Sequence, residues 1–422
     1  MTKFYATLLL AFVFSVCATA QQTSVLFVGN SYIYTQNLPG TLYNLALAGG
    51  DTIYHESSTP GGYTLQGHST NSTTLTKIAS RDWDFVVLQE QSQKPSFPPA
   101  QVASETYPYA EVLVDSIKSN YECSEPIFFM TWGRRDGDAQ NCQFYPPLCT
   151  FEGMNGRLRE SYLEMSSDNN ATAAPCGAAW HQMSIDNPTF FSGLYSGDGS
   201  HPSAWGTYLN ACVFYATIFR ESPVGIPYYS SIGQQDAEDL QQLAEDIVLD
   251  SLSSWYIGHA DDVSIDIDYM QIGGVGNGPD VQFINNSTNA VYHDWDFGDG
   301  GTSDEAAPFY NFSQGSWAVN YIGSSCSETE SSSLQILVPL SVVENDPFNS
   351  LKMMVTTIGI HVSNDQSTDL ELTGFDNSGR MLWSEQIARG ASRTFDTPKT
   401  DGVYLIRVSD GEQTITRKFF IQ

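Results

Sequence analysis

The sequence predicts an α/β domain, with a parallel sheet covered by helices, followed by two small β-sandwich modules. The evidence is a series of short apolar runs separated by helical patterns, and a change of pattern near residue 260. The runs are Ser24–Val28, Phe85–Leu88 and Ile127–Met130. Continuous apolar strands that alternate with helices are typical of parallel sheets buried on both faces. We therefore assign residues 21–258 to one α/β domain.

Four segments of this domain show the spacing of apolar residues that is typical of helices. Two lie among the strands, at Thr41–Ala48 and Ala103–Ile117. A third follows Ser203, a natural N-cap, and carries apolar residues at i, i+3, i+4 and i+7 from Trp205 to Ala216. The fourth spans Gln234–Leu252, and we expect it to close the domain.

Beyond residue 260 the apolar residues alternate with period two, and Gly, Asn and Asp turns interrupt them. This pattern is typical of antiparallel strands and hairpins. Residues 260–337 and 343–422 each have about the length of one small β-sandwich. We predict two such modules after the α/β domain.

The charge balance of the chain is strongly acidic. There are 18 Lys and Arg residues against 48 Asp and Glu, which gives a formal net charge of -30. Phosphate groups would be repelled, so we expect no binding to nucleic acid or to an anionic membrane surface. Solubility is the simplest explanation of this acidity, and calcium-binding acidic clusters are the alternative.

The first 20 residues have the pattern of a secretory signal peptide. Lys3 precedes an apolar run from Leu8 to Val16, and Ala18-Thr19-Ala20 resembles a cleavage site. No later stretch is apolar enough to span a bilayer, so we expect a mature protein without a membrane span. Cys17 suggests a lipid anchor as an alternative, but Val16 stands where a small residue would be expected.

Six cysteines follow the predicted signal peptide: Cys123, Cys142, Cys149, Cys176, Cys212 and Cys326. Export to an oxidising compartment favours disulfides. Cys142 and Cys149 flank a Pro-Pro loop and are the pair we favour, although connectivity does not follow from spacing. The sequence has no zinc-type spacing of Cys or His, and we predict neither a metal nor another cofactor.

A candidate nucleophile follows the first predicted strand, at Gly29-Asn30-Ser31. A tight turn there places the Ser31 hydroxyl at the carboxyl edge of the sheet, where open α/β folds bind ligands. A helix N-terminus close behind it would favour developing negative charge. Serine is a weak nucleophile by itself, so this position predicts chemistry only if a base lies within hydrogen-bond reach.

A candidate base and its partner occur together at Asp198-Gly199-Ser200-His201, just before the third predicted helix. The Asp198 carboxylate can bind one imidazole nitrogen of His201 and so fix its tautomer. The other nitrogen can then accept the proton of Ser31. An Asp-x-x-His pair alone is more often a surface turn, but together with Ser31 it indicates a hydrolytic triad.

The order of these blocks resembles the SGNH/GDSL hydrolase superfamily over residues 21–258. The resemblance implies a flavodoxin-like three-layer α/β/α fold and esterase or lipase activity, with Ser31 as nucleophile, His201 as base and Asp198 as its partner. Family members usually carry Gly-Asp-Ser in the first block; here Asn30 replaces the aspartate, which resembles a Gly-Asn-Ser subgroup of the family.

The resemblance also implies an oxyanion hole, built from the Ser31 N–H, a loop glycine N–H and a side-chain amide. Within Thr59–Tyr63 we favour Gly62 as the loop glycine. The family pattern has an asparagine after the third strand, but here the chain has Gln89-Glu90-Gln91. A glutamine amide can donate the same bond, so we predict Gln89 in this role, with Gln91 second and a polar strand end as the alternative.

Further candidates follow from their position at the same predicted edge. We predict substrate contacts for Trp132, which could stack on a sugar, for Arg134, which could bind a carboxylate or phosphate, and for Tyr32. Structural roles are the alternative for all of them. Three other histidines could replace His201 as the base, with an ordinary polar or capping role as the favoured alternative: His55, His68 and His181.

The two β modules carry resemblances of their own. Trp295–Gly300 resembles the signature of PKD-type Ig-like domains, which implies a spacer, or else glycan or calcium binding. Residues 343–422 resemble the type A C-terminal sorting domain of type IX secretion, through Asp376-x-x-Gly379, Gly402-Val403-Tyr404 and Arg417-Lys418. That resemblance implies an export machinery as partner, and a secreted or surface-attached protein.

These observations together predict a secreted serine esterase that forms an acyl-enzyme. A small-molecule or polysaccharide ester is the expected substrate, and an acetylated carbohydrate is one candidate. The alternative is a noncatalytic glycan-binding surface protein built on a hydrolase-like fold. Both hypotheses place residues 31, 198 and 201 at one edge of the sheet, but only the first requires them to be in contact.

Overall fold

The structure is a computed structural model that describes residues 22–272, 280–313, 315–338, 348, 351–356, 359–375, 380–395 and 402–421. The predicted signal peptide at 1–20 and the turn Asp376–Gly379 lie outside these residues. Two compact units divide the chain. The first contains the α/β domain with most of the following β module, and the second contains the C-terminal module.

The first part of the chain folds around a five-stranded parallel sheet, as predicted. The strands are β1 (Thr23–Val28), β2 (Ile53–Ser58), β3 (Phe85–Leu88), β4 (Glu125–Phe129) and β5 (Thr172–Ala174), and their order is β2-β1-β3-β4-β5. This order is the flavodoxin-like one. Residues 25–28 of β1 are completely buried, because helices cover both faces of the sheet.

The helices are α1 (Ser31–Tyr34), α2 (Leu38–Gly49), α3 (Leu65–Thr70), α4 (Ser72–Ile78), α5 (Pro99–Glu105), α6 (Tyr107–Asn120), α7 (Phe151–Asp168), α8 (Cys176–Asp186), α9 (Pro188–Gly193), α10 (Ala204–Phe219) and α11 (Gln234–Val248). Short 3-10 helices lie at Lys94–Ser96, Pro146–Cys149 and Leu249–Trp255. Ser203 caps α10 as predicted, since its side chain accepts a hydrogen bond from the Gly206 N–H. None of the helices in the described residues combines the length and apolar character that a membrane span requires.

The helix predicted at Ala103–Ile117 is in fact two helices, α5 and α6, which meet at Thr106. Pro108 explains the break. Proline has no N–H to donate to the preceding turn, so it favours the first turn of a helix over the interior. A second difference concerns the last helix, which ends at Val248 and continues as a 3-10 helix to Trp255 instead of remaining α-helical to Leu252.

The remaining strands form antiparallel sheets, as the alternating pattern predicts. They are β6 (Ile267–Ile272), β7 (Asp280–Asn285), β8 (Tyr292–Asp296), β9 (Thr302–Ser303), β10 (Phe309–Asn311), β11 (Gly315–Ser324), β12 (Thr329–Val338), β13 (Leu351–Thr356), β14 (Gly359–Asn364), β15 (Leu370–Phe375), β16 (Met381–Ile387), β17 (Ser392–Phe395), β18 (Gly402–Ser409) and β19 (Thr414–Ile421). The sheets are β10-β7-β6, β12-β11-β8-β9, β13-β14-β17 and β16-β15-β18-β19.

Each β module has its own apolar centre. Phe283, Trp295 and Tyr321 pack ring against ring in the first module, with centroids 4.7 and 4.4 Å apart. In the second module, one buried cluster joins side chains from both sheets, among them Val362 and Ile406. Aromatic and branched side chains thus fill the space between sheets, as in a sandwich.

Two disulfides are present among the described residues. Cys142–Cys149 is the pair favoured from the sequence. Cys123–Cys326 joins residues 203 positions apart and links the α/β domain to the first β module within one unit. Cys176 and Cys212 are buried thiols.

Candidate active site

The chain turns sharply between the end of β1 and the start of α1, and Ser31 is the first residue of that helix. Gly29 makes the turn possible. A Cβ on Gly29 would lie 2.6 Å from both Gln89 Oε1 and Ile33 Cδ1, closer than a carbon atom can approach. The Ser31 hydroxyl is half-buried at the carboxyl edge, where β1 lies between β2 and β3. This is the switch point at which such sheets bind ligands.

The structure brings Ser31, His201 and Asp198 into one hydrogen-bonded row. Ser31 Oγ lies 2.8 Å from His201 Nε2, and His201 Nδ1 lies 2.6 Å from Asp198 Oδ2. A carboxylate can only accept, so it selects the tautomer with the proton on Nδ1. Nε2 is then free to accept the proton of the serine hydroxyl. In this geometry the imidazole could accept a proton from the Ser31 hydroxyl while the carboxylate orients the ring.

Local hydrogen bonds keep the Asp198 carboxyl group ionised. Partial burial would raise its pKa, but hydrogen bonds from the His201 ring and from the Ser200 and His201 N–H groups outweigh that effect. The pKa of Asp198 therefore lies below its ordinary value. Both backbone N–H groups bind Oδ1 at 3.0 Å, so Oδ2 is left for the imidazole. The carboxylate is thus oriented by its own loop.

The loop that carries His201 is attached to the segment following β4. Trp132 Nε1 donates to the Ser200 carbonyl at 3.1 Å, and the Arg135 N–H donates to the Gly199 carbonyl at 2.9 Å. The Tyr32 and Ser200 hydroxyls are 2.7 Å apart, which links the loop to the nucleophile helix. Hydrogen bonds from two neighbouring segments therefore fix the distance between His201 and Ser31.

The predicted substrate contacts of Trp132 and Tyr32 are wrong. The Trp132 ring is completely buried between Tyr32, 4.9 Å away at 9°, and Trp180, 3.9 Å away at 4°. Both faces of the indole are covered, so no sugar can stack on it, and Tyr32 is 2% exposed. Both residues instead hold Ser200 in the histidine loop. Burial was not visible in the sequence, because an aromatic residue after a strand fits a pocket or a core equally well.

Arg134 is placed at the expected edge, with about a quarter of its side chain exposed. Its guanidinium lies 3.5 Å from the buried Asp138 carboxylate, and its Nε has no hydrogen-bond partner in the described part of the chain. The predicted contact between Arg134 and an anionic group stays a prediction.

The predicted oxyanion donor Gln89 is contradicted by the structure. Its side chain is completely buried, its Oε1 accepts from the Asn30 N–H at 2.9 Å, and its Nε2 donates to the Glu90 carbonyl. An oxyanion donor must reach the substrate, and this amide is enclosed. Gln91 is partly exposed and donates to Gln93 Oε1 at 3.1 Å, which leaves one of its two amide hydrogens. Gln91 is therefore the better candidate of the two.

Gly62 remains the candidate loop donor. It is exposed and has a φ of 68°, the left-handed region that favours glycine, with no atom near the position of a Cβ. The Ser31 N–H, at the first position of α1, has no partner within its own helix. The predicted donation from the Ser31 and Gly62 N–H groups to an oxyanion stays a prediction.

Asn30 is a residue whose importance sequence reasoning missed. Its Nδ2 donates to the Tyr63 carbonyl at 2.9 Å, and its Oδ1 accepts from the Tyr32 N–H at 3.2 Å. Its own N–H is held by Gln89. Asn30 therefore joins the nucleophile turn to the glycine loop and to the end of β3. The signal was present in the departure from Gly-Asp-Ser, because an amide can donate to a carbonyl and a carboxylate cannot.

Glu90 is the second missed residue. It is completely buried, and its carboxylate accepts hydrogen bonds from the Leu65 N–H at 3.1 Å and from the Gln91 N–H. Burial raises the pKa of Glu90 to about 7, although those hydrogen bonds act in the opposite direction. The Glu90 carboxylate thus ties the start of α3, which follows the glycine loop, to the end of β3.

None of the substitute bases has a hydrogen bond to Ser31. His68 is buried, and its ring nitrogens contact the Gly29 carbonyl and Thr74 Oγ1, both at 2.8 Å. His181 pairs with Glu152 at 2.9 Å, and His55 packs edge-on against Tyr43. His201 contacts the Ser31 hydroxyl. Across the described ranges, no three His, Cys, Asp or Glu side chains are grouped as metal ligands would be.

Several solved structures of other proteins resemble parts of this chain. No protein-family model and no curated protein matches the chain. A DUF4886 family protein from Bacteroides uniformis is 17% identical, with 54% of this chain and 95% of that chain covered and a TM-score of 0.47. A protein from Slackia heliotrinireducens ascribed to the SGNH hydrolases is 26% identical. The match covers 46% of this chain and 97% of that chain, with a TM-score of 0.38. The PKD1 domain of the Vibrio cholerae metalloprotease PrtV is 27% identical. The match covers 18% of this chain and 94% of that domain, with a TM-score of 0.16.

Proposed function

We propose that the protein is a serine esterase, with Ser31 as nucleophile, His201 as general base and acid, and Asp198 as the residue that orients the imidazole. The observation that carries this proposal is the row of contacts at 2.8 and 2.6 Å from Ser31 Oγ to Asp198 Oδ2. These three side chains lie far apart in the sequence. A noncatalytic binding protein would have no need of this geometry.

The proposed reaction begins when Ser31 Oγ attacks the carbonyl carbon of the ester and its proton passes to His201 Nε2. The Ser31 and Gly62 N–H groups donate to the oxyanion, and each such donor is worth about 3 kcal/mol of barrier lowering. Collapse of the tetrahedral intermediate breaks the bond to the alkoxy group, which leaves as the alcohol with the proton from His201. Water then attacks the acyl-enzyme with His201 again as base, which releases the acid and restores Ser31.

We further propose that the substrate is an ester on a carbohydrate and that the protein is exported. Residues 1–20 have the pattern of a signal peptide, and residues 343–422 resemble a sorting domain of type IX secretion. The two disulfides agree with an oxidising compartment. Gly61 and Gly62 are exposed, and the Asn30–Tyr63 hydrogen bond attaches their loop to the turn that carries Ser31.

The test is the turnover of p-nitrophenyl acetate by a Ser31→Ala variant. We expect a loss of at least about 10³-fold in kcat with an unchanged melting temperature, because the nucleophile is removed and the fold is not. Ser80→Ala is the matched control, since Ser80 is exposed and its hydroxyl donates to the Lys77 carbonyl at 2.7 Å. Unchanged turnover by Ser31→Ala would overturn the proposal.

A fluorophosphonate probe separates the esterase from a noncatalytic glycan-binding protein. An activated serine becomes covalently labelled, whereas an ordinary hydroxyl does not. We expect one label per chain, lost in Ser31→Ala and retained in Ser80→Ala.

A further inference from the structure

A surface cleft lies next to the histidine loop, and neither the triad nor the oxyanion donors use it. Its volume is about 360 Å³, within the range of sites for small ligands. It is lined by Asn187, Thr189, Phe190, Gly193, Trp205 and Asp236. These residues come from α9, the start of α10 and the start of α11.

The chain connects this cleft directly to His201. Trp205 follows His201 by four residues, and between them Ser203 caps α10. Ser203 Oγ donates to the Gly193 carbonyl at 2.6 Å, and the Ser203 N–H donates to the Leu194 carbonyl at 2.8 Å. The end of α9 and the start of α10 are therefore held together immediately after the histidine loop.

The Trp205 ring is exposed and yet held in one orientation. It is 36% exposed, its Nε1 donates to Asp236 Oδ2 at 3.0 Å, and Phe190 stands edge-on to it with centroids 6.3 Å apart at 78°. An indole exposed to this extent presents part of its apolar face to the solvent, and its N–H is already bound to Asp236. The neighbouring Trp132 and Trp180 are completely buried, whereas Trp205 lines the cleft and can contact a ligand there.

Polar groups with unused hydrogen-bonding capacity surround the indole. Asn187 Oδ1 accepts from the Phe190 N–H at 3.1 Å, which leaves the Asn187 amide hydrogens. Asp236 uses Oδ2 for Trp205, which leaves Oδ1, and the Thr189 hydroxyl also lines the cleft. The cleft thus combines one apolar ring face with separate donors and acceptors.

We propose that this cleft binds a neutral sugar unit of the ester substrate, in a subsite beside the triad. The inference deepens the proposed function and rests on it. The apolar face of a pyranose ring would pack on Trp205, and its hydroxyls would bind Asp236 and Asn187. Asp236 and the net charge of -30 disfavour anionic ligands, and the unused donors disfavour a purely apolar one.

Binding to the Ser31→Ala protein tests this subsite without turnover. The probes are xylohexaose, cellohexaose, mannohexaose and the hexamer of N-acetylglucosamine, measured by isothermal titration calorimetry. We expect at least one to bind, with affinity at least tenfold weaker in Trp205→Ala and reduced less in Trp205→Phe, which keeps an aromatic face. Tyr43→Ala is the control, because Tyr43 is 38% exposed but lies on α2.

Two outcomes would overturn the subsite: no binding of any of the four hexasaccharides, or binding that Trp205→Ala leaves unchanged. The esterase is judged separately with p-nitrophenyl acetate, which is too small to span both sites. If Trp205→Ala keeps full turnover of this ester but has a raised KM for acetylated xylan, the subsite and the esterase both stand. If sugar binding depends on Trp205 but turnover does not depend on Ser31, the cleft binds sugar, and its role as a subsite of an esterase is overturned.

Discussion

The two sides of the candidate active site each hold a carboxyl group, and the two groups have opposite pKa shifts. On the nucleophile side, Glu90 is completely buried, and burial raises its pKa to about 7. On the histidine side, the Asp198 side chain is half exposed, and its hydrogen bonds hold its pKa below the ordinary value. The nucleophile side is therefore held by buried side chains, and the histidine side by hydrogen bonds near the surface. Changes on the first side should affect both stability and positioning, whereas changes on the second should affect chemistry with little effect on stability.

The largest expected effect is that of Asp198→Asn. The asparagine amide keeps the shape of the side chain but no longer selects the tautomer with the proton on Nδ1, so Nε2 loses its role as acceptor. We expect kcat for p-nitrophenyl acetate to fall by about 10³- to 10⁴-fold, with a melting temperature close to that of the unchanged protein. Asp82→Asn, at an exposed position, is the control. A loss of less than tenfold would contradict the role of Asp198.

The second prediction concerns Glu90 and the pH dependence of stability. Its folded pKa of about 7 lies above the ordinary value near 4.5. Between these pH values the unfolded chain releases this proton while the folded chain retains it. The contribution of Glu90 to the free energy of unfolding therefore falls as pH rises from about 4.5 to 7, by an amount on the order of 3 kcal/mol.

Asp198 has the opposite pH dependence of stability. Its contribution to the free energy of unfolding is complete above its ordinary pKa and is lost as pH falls through its lower folded pKa.

Thermal melts of Glu90→Gln between pH 4.5 and 8 measure this effect. We expect the melting temperature of the variant to rise relative to the unchanged protein as pH increases, with a plateau above about pH 7. The exposed Glu111→Gln should show no such trend. A constant difference across this range would mean that Glu90 does not titrate there.

The smallest expected effect is that of Asn30→Asp, which converts the turn to the more usual Gly-Asp-Ser. The carboxylate could still accept from the Tyr32 N–H, but it would face the Tyr63 carbonyl without a hydrogen to donate. The glycine loop should shift relative to Ser31, and a misplacement of about 1 Å can lower a rate by up to about 10²-fold. We expect a 10- to 100-fold loss in kcat with little change in KM.

The rate of Asn30→Asp is best expressed per active site, titrated with the fluorophosphonate probe. A purely structural defect would lower the number of active sites, whereas a positioning defect lowers the rate of each. Asn44→Asp, an exposed change on α2, should leave the rate unchanged. Full activity of Asn30→Asp would show that the Tyr63 contact has no role in catalysis.

The strands that the sequence did not reveal are the two at the edges of the sheet. β2 (Ile53–Ser58) contains a Tyr, a His and a Glu, and only its first and last residues are buried. β5 (Thr172–Ala174) is completely buried but has only three residues, too few for a pattern. The three inner strands, β1, β3 and β4, were predictable because helices cover both of their faces and exclude polar residues.

Two of the wrong site predictions, those for Gln89 and Trp132, share one cause. Gln89 and Trp132 both follow strands at the correct edge, and both carry groups suited to the predicted roles. The structure turns them inward, where Gln89 holds the Asn30 N–H and Trp132 holds the Ser200 carbonyl. Position along a strand predicts the edge at which a residue lies, but not whether its side chain faces the solvent.

The sequence by itself determined the α/β class of the first domain and its three inner strands, because buried strands and amphipathic helices leave local periodic patterns. It also indicated Ser31, Asp198 and His201, since the residue types and their places beside a strand and a helix are local features. Only the tertiary structure decided that the side chains at 31 and 201 are in contact, that Asn30 joins three segments, and that Trp205 is exposed while Trp132 is not. Contacts and burial depend on the packing of segments distant in the chain, and no local pattern records them.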